Sequence, residues 1–198
     1  MSLKQLLNDA KDNNTYLHLK SYYPDVHTWK DGILNINWAF NNSSIDDLPS
    51  KISIFKNDGS TAAVVNNGKL DIFSFNSIQY KSRFRYRHGN TLPKAEQIIN
   101  DINNCFDNYK VYNTKVHLNI VSEGENYNIH EDDHDVLSWQ CEGSVIYKIY
   151  ENNSCTEIVL NPGDIFYMPS GIKHSVFTYK PRMTIIFQIH SLSKDMDW

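Results

Sequence analysis

Seven short segments between residues 115 and 190 carry β-forming side chains and are separated by brief polar breaks. They are KVHLNIV (115–121), HDVLSWQ (134–140), SVIYKIY (144–150), TEIVL (156–160), DIFYMP (164–169), HSVFTY (174–179) and MTIIFQIH (183–190). Most show the period-two pattern of strands that bury one face. This many short strands in close succession predict a mainly β fold built as a barrel or jelly roll.

Two other stretches have helical periodicity. Ser2 followed by Gln5 forms a capping-box pattern. It precedes a stripe of Leu3, Leu6, Leu7 and Ala10, and the helix is predicted to end at Asn13 and Asn14. Residues 92–108 predict a longer helix, with Pro93 in its first turn. Its apolar residues at three- and four-residue spacing are Ala95, Ile98, Ile99, Ile102 and Phe106. We expect an N-terminal and a central helix to flank the barrel.

The N-terminal half is rich in strand patterns but has no recognisable chemical motif. Runs such as KISIF and KLDIFSF lie between about 33 and 87, with turn signals at NDG (57–59) and NNG (66–68). The chain contains no evident repeat, low-complexity tract or linker. We therefore predict one domain over 1–198, with an N-terminal elaboration of about 1–110 and a motif-bearing barrel of about 111–192.

The charge balance, the hydrophobic segments and the cysteines indicate which partners and which compartment suit this chain. The 19 basic and 23 acidic residues give a net charge of -4, so no global basic field attracts nucleic acid. No segment has the roughly 20 apolar residues of a membrane span, and the N-terminus does not resemble a signal peptide. Three widely spaced cysteines fit partly buried structural thiols in a reducing compartment. We expect a cytoplasmic protein, and a homodimer remains open.

Three residues could together bind a metal ion. His130 and Asp132 are two positions apart, and on a strand such side chains point to the same face. His174 follows a Pro-Ser-Gly turn and supplies a third ligand. Two histidines and one carboxylate leave further coordination positions open, as in non-heme Fe(II) oxygenases. Asp133 and His134 are either alternative ligands or neighbours that orient the ligands. The alternative without a metal is that the three residues form a polar turn and a core histidine.

These residues fall within two motifs that resemble those of the cupins. Gly124 is followed after five residues by His130, with Asp132 where many cupins have a second histidine. In the second motif the matching residues are Gly163, Pro169, Gly171 and His174, and Thr178 replaces the usual asparagine. The resemblance implies a double-stranded β-helix whose metal ligands are His130, Asp132 and His174.

A narrower resemblance is to the JmjC-like cupin hydroxylases. HEDDHDVLSWQCEG is similar to their H-x-D-x-x-D-V-x-x-x-Q-x-x-G stretch, and LNPGDIFYMPSGIKH is similar to L-x-P-G-D-x-x-Y-x-P-x-G-x-x-H. Together the two blocks cover roughly 120–190. This resemblance implies an enzyme that uses Fe(II), with 2-oxoglutarate and O2 as co-substrates.

One position departs from that pattern. The family commonly has a basic residue two positions after the glycine, where it pairs with the distal carboxylate of 2-oxoglutarate, but this chain has Val145. Lys148 lies at odd spacing from Val145 and should face away. Arg182 and Thr184 resemble the R-x-S/T element of other 2-oxoglutarate oxygenases, so we expect them to bind the carboxylate. The alternative is a solvated arginine after a turn.

Further polar and aromatic residues flank the motif strands. The predicted wall of the cavity consists of Asn119, Tyr127, Gln140 and Tyr147, of which Asn119 and Tyr147 are expected to contact the co-substrate. Arg83, Arg85 and Arg87 alternate with aromatic residues. They form either a solvated strand face or a contact for an anionic substrate.

The sequence therefore predicts an Fe(II)- and 2-oxoglutarate-dependent dioxygenase that hydroxylates a protein side chain or a small molecule. Its catalytic residues would be the three metal ligands. Two other hypotheses stay open: a metal-dependent cupin dioxygenase or isomerase that does not use 2-oxoglutarate, and a metal-binding cupin without turnover.

Overall fold

The computed structural model describes most of residues 92–192 and shorter parts of the N-terminal half. The described residues are 1–28, 31, 52–55, 65–66, 69–70, 83–86, 92–119, 125–152, 154–178 and 181–192. Within these, the side chains of 52–55, 65–66, 69–70, 83–86, 93, 119 and 125–127 are outside the description. The NDG turn, Gly124 and Arg87 also lie outside the described residues.

Strands make up most of the described chain. They are β1 (Leu17–Leu19), β2 (Ile52–Phe55), β3 (Val65–Asn66), β4 (Lys69–Leu70), β5 (Arg83–Tyr86), β6 (Tyr109–Asn119), β7 (Glu125–His130), β8 (Asp135–Glu142), β9 (Val145–Glu151), β10 (Ser154–Leu160), β11 (Ile165–Met168), β12 (His174–Thr178) and β13 (Arg182–Ser191). Each of the seven predicted β segments coincides with a strand from β6 to β13, and β7 is an additional one.

The strands pair into two main antiparallel sheets. The large sheet has the order β1-β11-β8-β13-β6-β5-β2, and the small sheet has the order β10-β9-β12-β7. From β7 to β13 the chain passes repeatedly from one sheet to the other. This winding forms a double-stranded β-helix, so the predicted mainly β jelly-roll fold is confirmed. A separate hairpin pairs β3 with β4 through Asn66 and Lys69, as the NNG turn signal predicted.

Two helices cover the outer face of the large sheet. Helix α1 spans Leu3–Asp12; the Ser2 side chain accepts the Gln5 backbone N–H, and Asn13 is the C-cap. The side chain of Gln5 donates to Asp9 instead of closing the capping box. Helix α2 spans Pro93–Cys105. It ends three residues before the predicted position 108, because Phe106 is extended and buried against Tyr109 and Tyr167.

The large sheet has two different faces because side chains alternate along each strand. Its outer face packs against the helices in a cluster that includes Leu7, Ile98, Leu137, Trp139, Met183, Ile185, Phe187 and Ile189. A second cluster fills the barrel interior and includes Val145, Tyr147, Ile149, Phe166, Met168 and Val176. The residues of β13 that alternate with the outer cluster are Arg182, Thr184, Ile186 and Gln188. They therefore face the interior.

A buried carboxylate holds the turn that precedes β11. Asp164 accepts the backbone N–H of Ser21 at 2.8 Å and that of Asn161 at 3.0 Å, and it lies 3.0 Å from Nε2 of His18. Burial raises the pKa of Asp164, but these hydrogen bonds outweigh it and the net pKa is lowered. Asp164 is thus a structural residue of this turn.

Among the described residues, no helix is long and apolar enough to cross a lipid bilayer.

Candidate metal centre

Two strands of the small sheet bring the predicted histidine ligands together. His130 is the last residue of β7 and His174 is the first residue of β12, and the two are paired in register. Their ring centroids are 4.2 Å apart. Asp132 does not continue the strand, contrary to our expectation, because β7 ends at His130. Its backbone carbonyl instead accepts the N–H of Gly171 at 2.9 Å, which keeps the side chain close to His174.

The three side chains are close enough to share one ion. One ligand atom from each of His130, Asp132 and His174 lies within 4.8 Å of the other two. Nε2 of His174 is 3.7 Å from Oδ2 of Asp132. Ligand atoms about 2.1 Å from an ion and at right angles to one another are about 3 Å apart. Small side-chain rotations would therefore bring these atoms to bonding distance.

Both imidazoles present the nitrogen that a metal requires. Nδ1 of His130 is 2.8 Å from the carbonyl oxygen of Asn128, and Nδ1 of His174 is 3.0 Å from that of Ile172. A carbonyl oxygen only accepts hydrogen bonds, so each Nδ1 carries a hydrogen, and in the neutral form of each ring the lone pair is on Nε2. This is how metal-binding histidines are usually oriented.

The protonation state of His174 also suits a ligand. Burial lowers its pKa, because the imidazolium loses hydration, and the neighbouring His130 lowers it further. The Ile172 carbonyl and Asp132 act in the opposite direction, but the net shift is downward. His174 therefore stays neutral to lower pH than an exposed histidine, and only neutral histidine binds a metal.

His134 and Asp133, the alternative ligands, lie beside the triad and bond to each other. Nδ1 of His134 is 2.6 Å from Oδ1 of Asp133, and its Nε2 is 2.5 Å from Nε2 of Gln188. The ring of His134 stacks on that of His190 at 4.7 Å. Both ring nitrogens of His134 therefore have hydrogen-bond partners. Through Gln188, His134 connects β13 with the loop that contains Asp132.

A cavity of about 430 Å³ opens beside the three candidate ligands. Its other lining residues are Lys115, His117, Asn128, His134, Val136, Tyr147, Met168, Val176, Arg182, Ile186 and Gln188. This volume lies within the range of small-molecule sites. The predicted anchor Arg182 thus borders the same space as the predicted metal ligands.

Arg182 is held in place by a chain of hydrogen bonds. It is 2% exposed, and one of its terminal nitrogens donates to Oγ1 of Thr184 at 2.6 Å. Thr184 donates in turn to Oε1 of Gln140 at 2.6 Å. Gln140 donates to the carbonyl oxygens of Glu142 and Gly143. The hydroxyl hydrogen of Thr184 is therefore directed to Gln140, and Thr184 orients Arg182 in this structure.

Gly143 makes room for the chain that leads into Arg182. It has a φ of +65°, and a Cβ added there would lie 2.1 Å from the carbonyl oxygen of Pro181. Only glycine avoids both the strained backbone and this clash. The glycine of the sequence motif therefore allows β8 and the start of β13 to approach each other.

The position where the related hydroxylases carry a basic residue is apolar here. Val145 is fully buried in the interior cluster. As expected from its spacing, Lys148 faces away and forms an ion pair with Glu157 at 2.8 Å. Among the described residues that line the cavity, the basic side chains Arg182 and Lys115 therefore come from β13 and β6 and not from β9.

Tyr147 forms a wall of the cavity beside His174. The two rings are 6.3 Å apart and stacked, and the Tyr147 hydroxyl is 2.8 Å from Oγ of Ser138. Burial raises the pKa of Tyr147, so the phenol is neutral at physiological pH. The side chains of Asn119, Tyr127, Arg83 and Arg85, which were also predicted to contribute, lie outside the described residues.

The sequence profile of the 3-hydroxyanthranilic acid dioxygenase family matches residues 95–197, which is just over half of the 198 residues. The chain belongs to this family. The matched region begins in α2 and contains β6 to β13, with all three candidate ligands and Arg182. Comparison with curated proteins gives no match.

Several solved structures share the fold of this chain at low sequence identity. Escherichia coli YcfD aligns with a TM-score of 0.69 at 12% identity, over 98% of this chain and 54% of that one. YcfD in complex with cobalt and 2-oxoglutarate, described as a ribosomal oxygenase, gives 0.64 at 13% identity, over 90% and 49%. A Burkholderia pseudomallei oxidoreductase of the 2OG-Fe(II) oxygenase family gives 0.52 at 10% identity, over 96% and 92%.

These similarities confirm the predicted fold. The chain spans about half the length of the YcfD chains that it matches. At sequence identities this low, the similarity shows the architecture of the barrel but does not indicate the substrate.

Several residues of the cavity were missed when the sequence was read alone, among them two basic side chains. Lys115 and His117 lie on β6 and line the cavity beside the candidate ligands. Their two-residue spacing places them on one face of a strand, which was the available signal. Nothing in the sequence indicated that this face of β6 meets the cavity, because that depends on the pairing of β6 with β13.

Proposed function

We propose that this chain is an Fe(II)- and 2-oxoglutarate-dependent oxygenase that hydroxylates a protein side chain or a small molecule. The observation that carries the proposal is a shared cavity, bordered by the two-histidine, one-carboxylate group and by a buried arginine. The first could hold the metal, and the second could hold the far carboxylate of the co-substrate. The resemblance to YcfD, which has been crystallised with cobalt and 2-oxoglutarate, supports the same proposal.

The donor atoms of this chain fit the metal. Two imidazole nitrogens and one carboxylate are the donor set of the non-heme iron oxygenases, and this set would leave positions open for a co-substrate. His130, Asp132 and His174 would hold the ion. When bound, Fe(II) and 2-oxoglutarate supply the oxidising chemistry, and the protein supplies binding and orientation.

The remaining residues position the co-substrate and limit water. Arg182 would receive the distal carboxylate through two parallel hydrogen bonds, because its planar guanidinium matches a carboxylate. The network through Thr184 and Gln140 fixes the direction of that guanidinium before the ligand arrives. Apolar side chains of Val136, Met168, Val176 and Ile186 line the same cavity and reduce its hydration.

An anaerobic titration tests the proposal. Fe(II) and then 2-oxoglutarate are added to the full chain near neutral pH, and we expect a metal-to-ligand charge-transfer band in the visible spectrum. Asp132→Ala is the matched control, which removes one ligand at the rim of the cavity and should abolish the band. Absence of the band in the wild-type protein, with Fe(II) bound, would contradict the use of 2-oxoglutarate.

A second candidate is a metal-dependent dioxygenase that does not use 2-oxoglutarate. The family to which the chain belongs, and Val145 in place of the basic residue, both favour it. In this reading Arg182 would pair with the carboxylate of an aromatic acid such as 3-hydroxyanthranilic acid. O2 uptake with that acid and Fe(II), in the absence of 2-oxoglutarate, would support this candidate over the first.

A chain that takes up no Fe(II), Mn(II) or Ni(II) would favour a binding role without turnover.

A further inference from the structure

Asp135 connects the two segments that carry the candidate ligands, although it is not itself one of them. It is the first residue of β8 and is 3% exposed. Its Oδ1 accepts the backbone N–H of Ser170 at 3.0 Å. Its Oδ2 accepts the hydroxyl of Tyr167 at 2.7 Å and lies 2.5 Å from Nζ of Lys11. One carboxylate therefore joins β8, the turn before β12 and helix α1.

The next backbone amide makes a parallel connection. The N–H of Gly171 donates to the carbonyl of Asp132, and the N–H of Ser170 donates to Asp135. Two consecutive amides of the turn that precedes His174 are thus bonded to residues 132 and 135, on either side of the connection between β7 and β8. Together with the pairing of β7 with β12 and the ion pair of Lys173 with Glu131 at 3.6 Å, these hydrogen bonds tie the segments of Asp132 and His174 together.

Lys11 compensates the charge of the buried carboxylate. Its ammonium group reaches Asp135 from the last turn of α1 and lies 3.8 Å from the centroid of the Tyr109 ring. A buried carboxylate needs such a partner, because desolvation of an unpaired charge is costly. The pair thus brings α1, which lies outside the barrel, into contact with the support of the candidate metal centre.

We propose that Asp135 is a positioning residue for the metal centre. The hydrogen bond from Ser170 to its Oδ1 sets the separation of Asp132 and His174, while Lys11 and Tyr167 bind only Oδ2 and stabilise the buried charge. The inference rests on the metal site of the proposed function. Neither Asp135 nor Lys11 needs to touch the ion, since groups that orient ligands change metal affinity through them.

Metal affinity measured on four full-length variants tests this role. Isothermal titration with Co(II) gives the Kd, and thermal unfolding of the metal-free protein gives the stability. We expect Asp135→Ala to raise the Kd about 10- to 100-fold. Asp135→Asn should restore most of the affinity, because its Oδ1 can still accept the Ser170 N–H. Lys11→Met and Tyr167→Phe remove partners of Oδ2 only, so they should lower stability yet leave the Kd within about threefold.

Each outcome decides the proposal. Wild-type affinity in Asp135→Ala, or an equal loss in Lys11→Met and Tyr167→Phe, would overturn it and leave Asp135 a role in stability alone. If Asp135→Ala does not fold, Asp135→Glu replaces it, because the longer side chain keeps the charge but displaces the oxygens from Ser170; unchanged affinity there would overturn the proposal too. Failure of the wild-type chain to bind Co(II) would instead reject the metal centre itself, and with it this inference.

Discussion

Replacing Arg182 with methionine should separate co-substrate binding from metal binding. The side chain is 2% exposed on the cavity wall, and methionine fills a similar length without charge or hydrogen-bond donors. His130 and His174 are on other strands and Asp132 is in the loop after β7, and all three keep their own hydrogen bonds. We therefore expect Arg182→Met to bind the metal like the wild type and to bind 2-oxoglutarate poorly.

The size of the effect follows from the burial of the guanidinium. Removing one partner of a buried, hydrogen-bonded charge pair costs roughly 2–5 kcal/mol of binding free energy. With about 3 kcal/mol as a central value, the Kd for 2-oxoglutarate rises about 100-fold. Thr184→Val removes only the hydroxyl that orients Arg182. The expected loss is then about 1 kcal/mol, or about a fivefold rise in Kd.

Isothermal titration with Mn(II), followed by titration of the Mn(II)-saturated protein with 2-oxoglutarate under anaerobic conditions, measures the two affinities. Lys148→Met is the matched control, because it also removes one positive charge from the barrel but acts on the outer face, where Lys148 pairs with Glu157. Its Kd for 2-oxoglutarate should change by less than about twofold, since exposed ion pairs contribute little.

If Arg182→Met binds Mn(II) and 2-oxoglutarate as tightly as the wild type, then Arg182 does not bind the distal carboxylate. Lys115 of the same cavity would then be the next candidate.

Three further predictions concern ligation, backbone geometry and pH. His174→Ala should weaken Co(II) binding by more than the roughly 100-fold expected from loss of a supporting residue, and retained affinity would exclude His174 as a ligand. Gly143→Ala should lower the free energy of unfolding by at least about 2 kcal/mol in urea, because its Cβ would clash with Pro181 at a positive φ; an unchanged midpoint would contradict this. Asp164 has a lowered pKa in the folded state, so its contribution is present above its unfolded value near about 4 and is lost as pH falls through the folded value. Asp164→Asn should therefore destabilise the metal-free protein at pH 7 and make a smaller difference near pH 3, and a constant difference would contradict the assignment.

The sequence was sufficient for those features that depend on local spacing. Period-two patterns marked the strands of the barrel, since burial of one face repeats every second residue. The H-x-D pair and the distant His174 could be recognised from their motifs, and the structure brings them within 4.8 Å. The odd spacing of Lys148 from Val145 likewise predicted that the lysine faces outward.

Features that depend on long-range pairing could not be predicted. Asp132 was expected on a strand with His130, but the strand ends at His130. The backbone carbonyl of Asp132 instead accepts the N–H of Gly171, which lies in the turn before β12. The bond between Lys11 and Asp135 spans 124 positions. No local pattern indicates which lysine meets which carboxylate across such a separation.

The alternation of side chains on β13 links the stability of the fold to its chemistry. Ile185 and Phe187 hold the strand against the helices, and Arg182 and Gln188 emerge on its opposite face, toward the cavity. Because β13 lies between β8 and β6, the anchor for a carboxylate sits on a strand paired on both sides. His130 is different, since β7 is paired only with β12 among the described residues. The ligand end of the cavity therefore depends on the cross-connections made by Gly171 and Ser170, whereas the anchor end is held by the sheet itself.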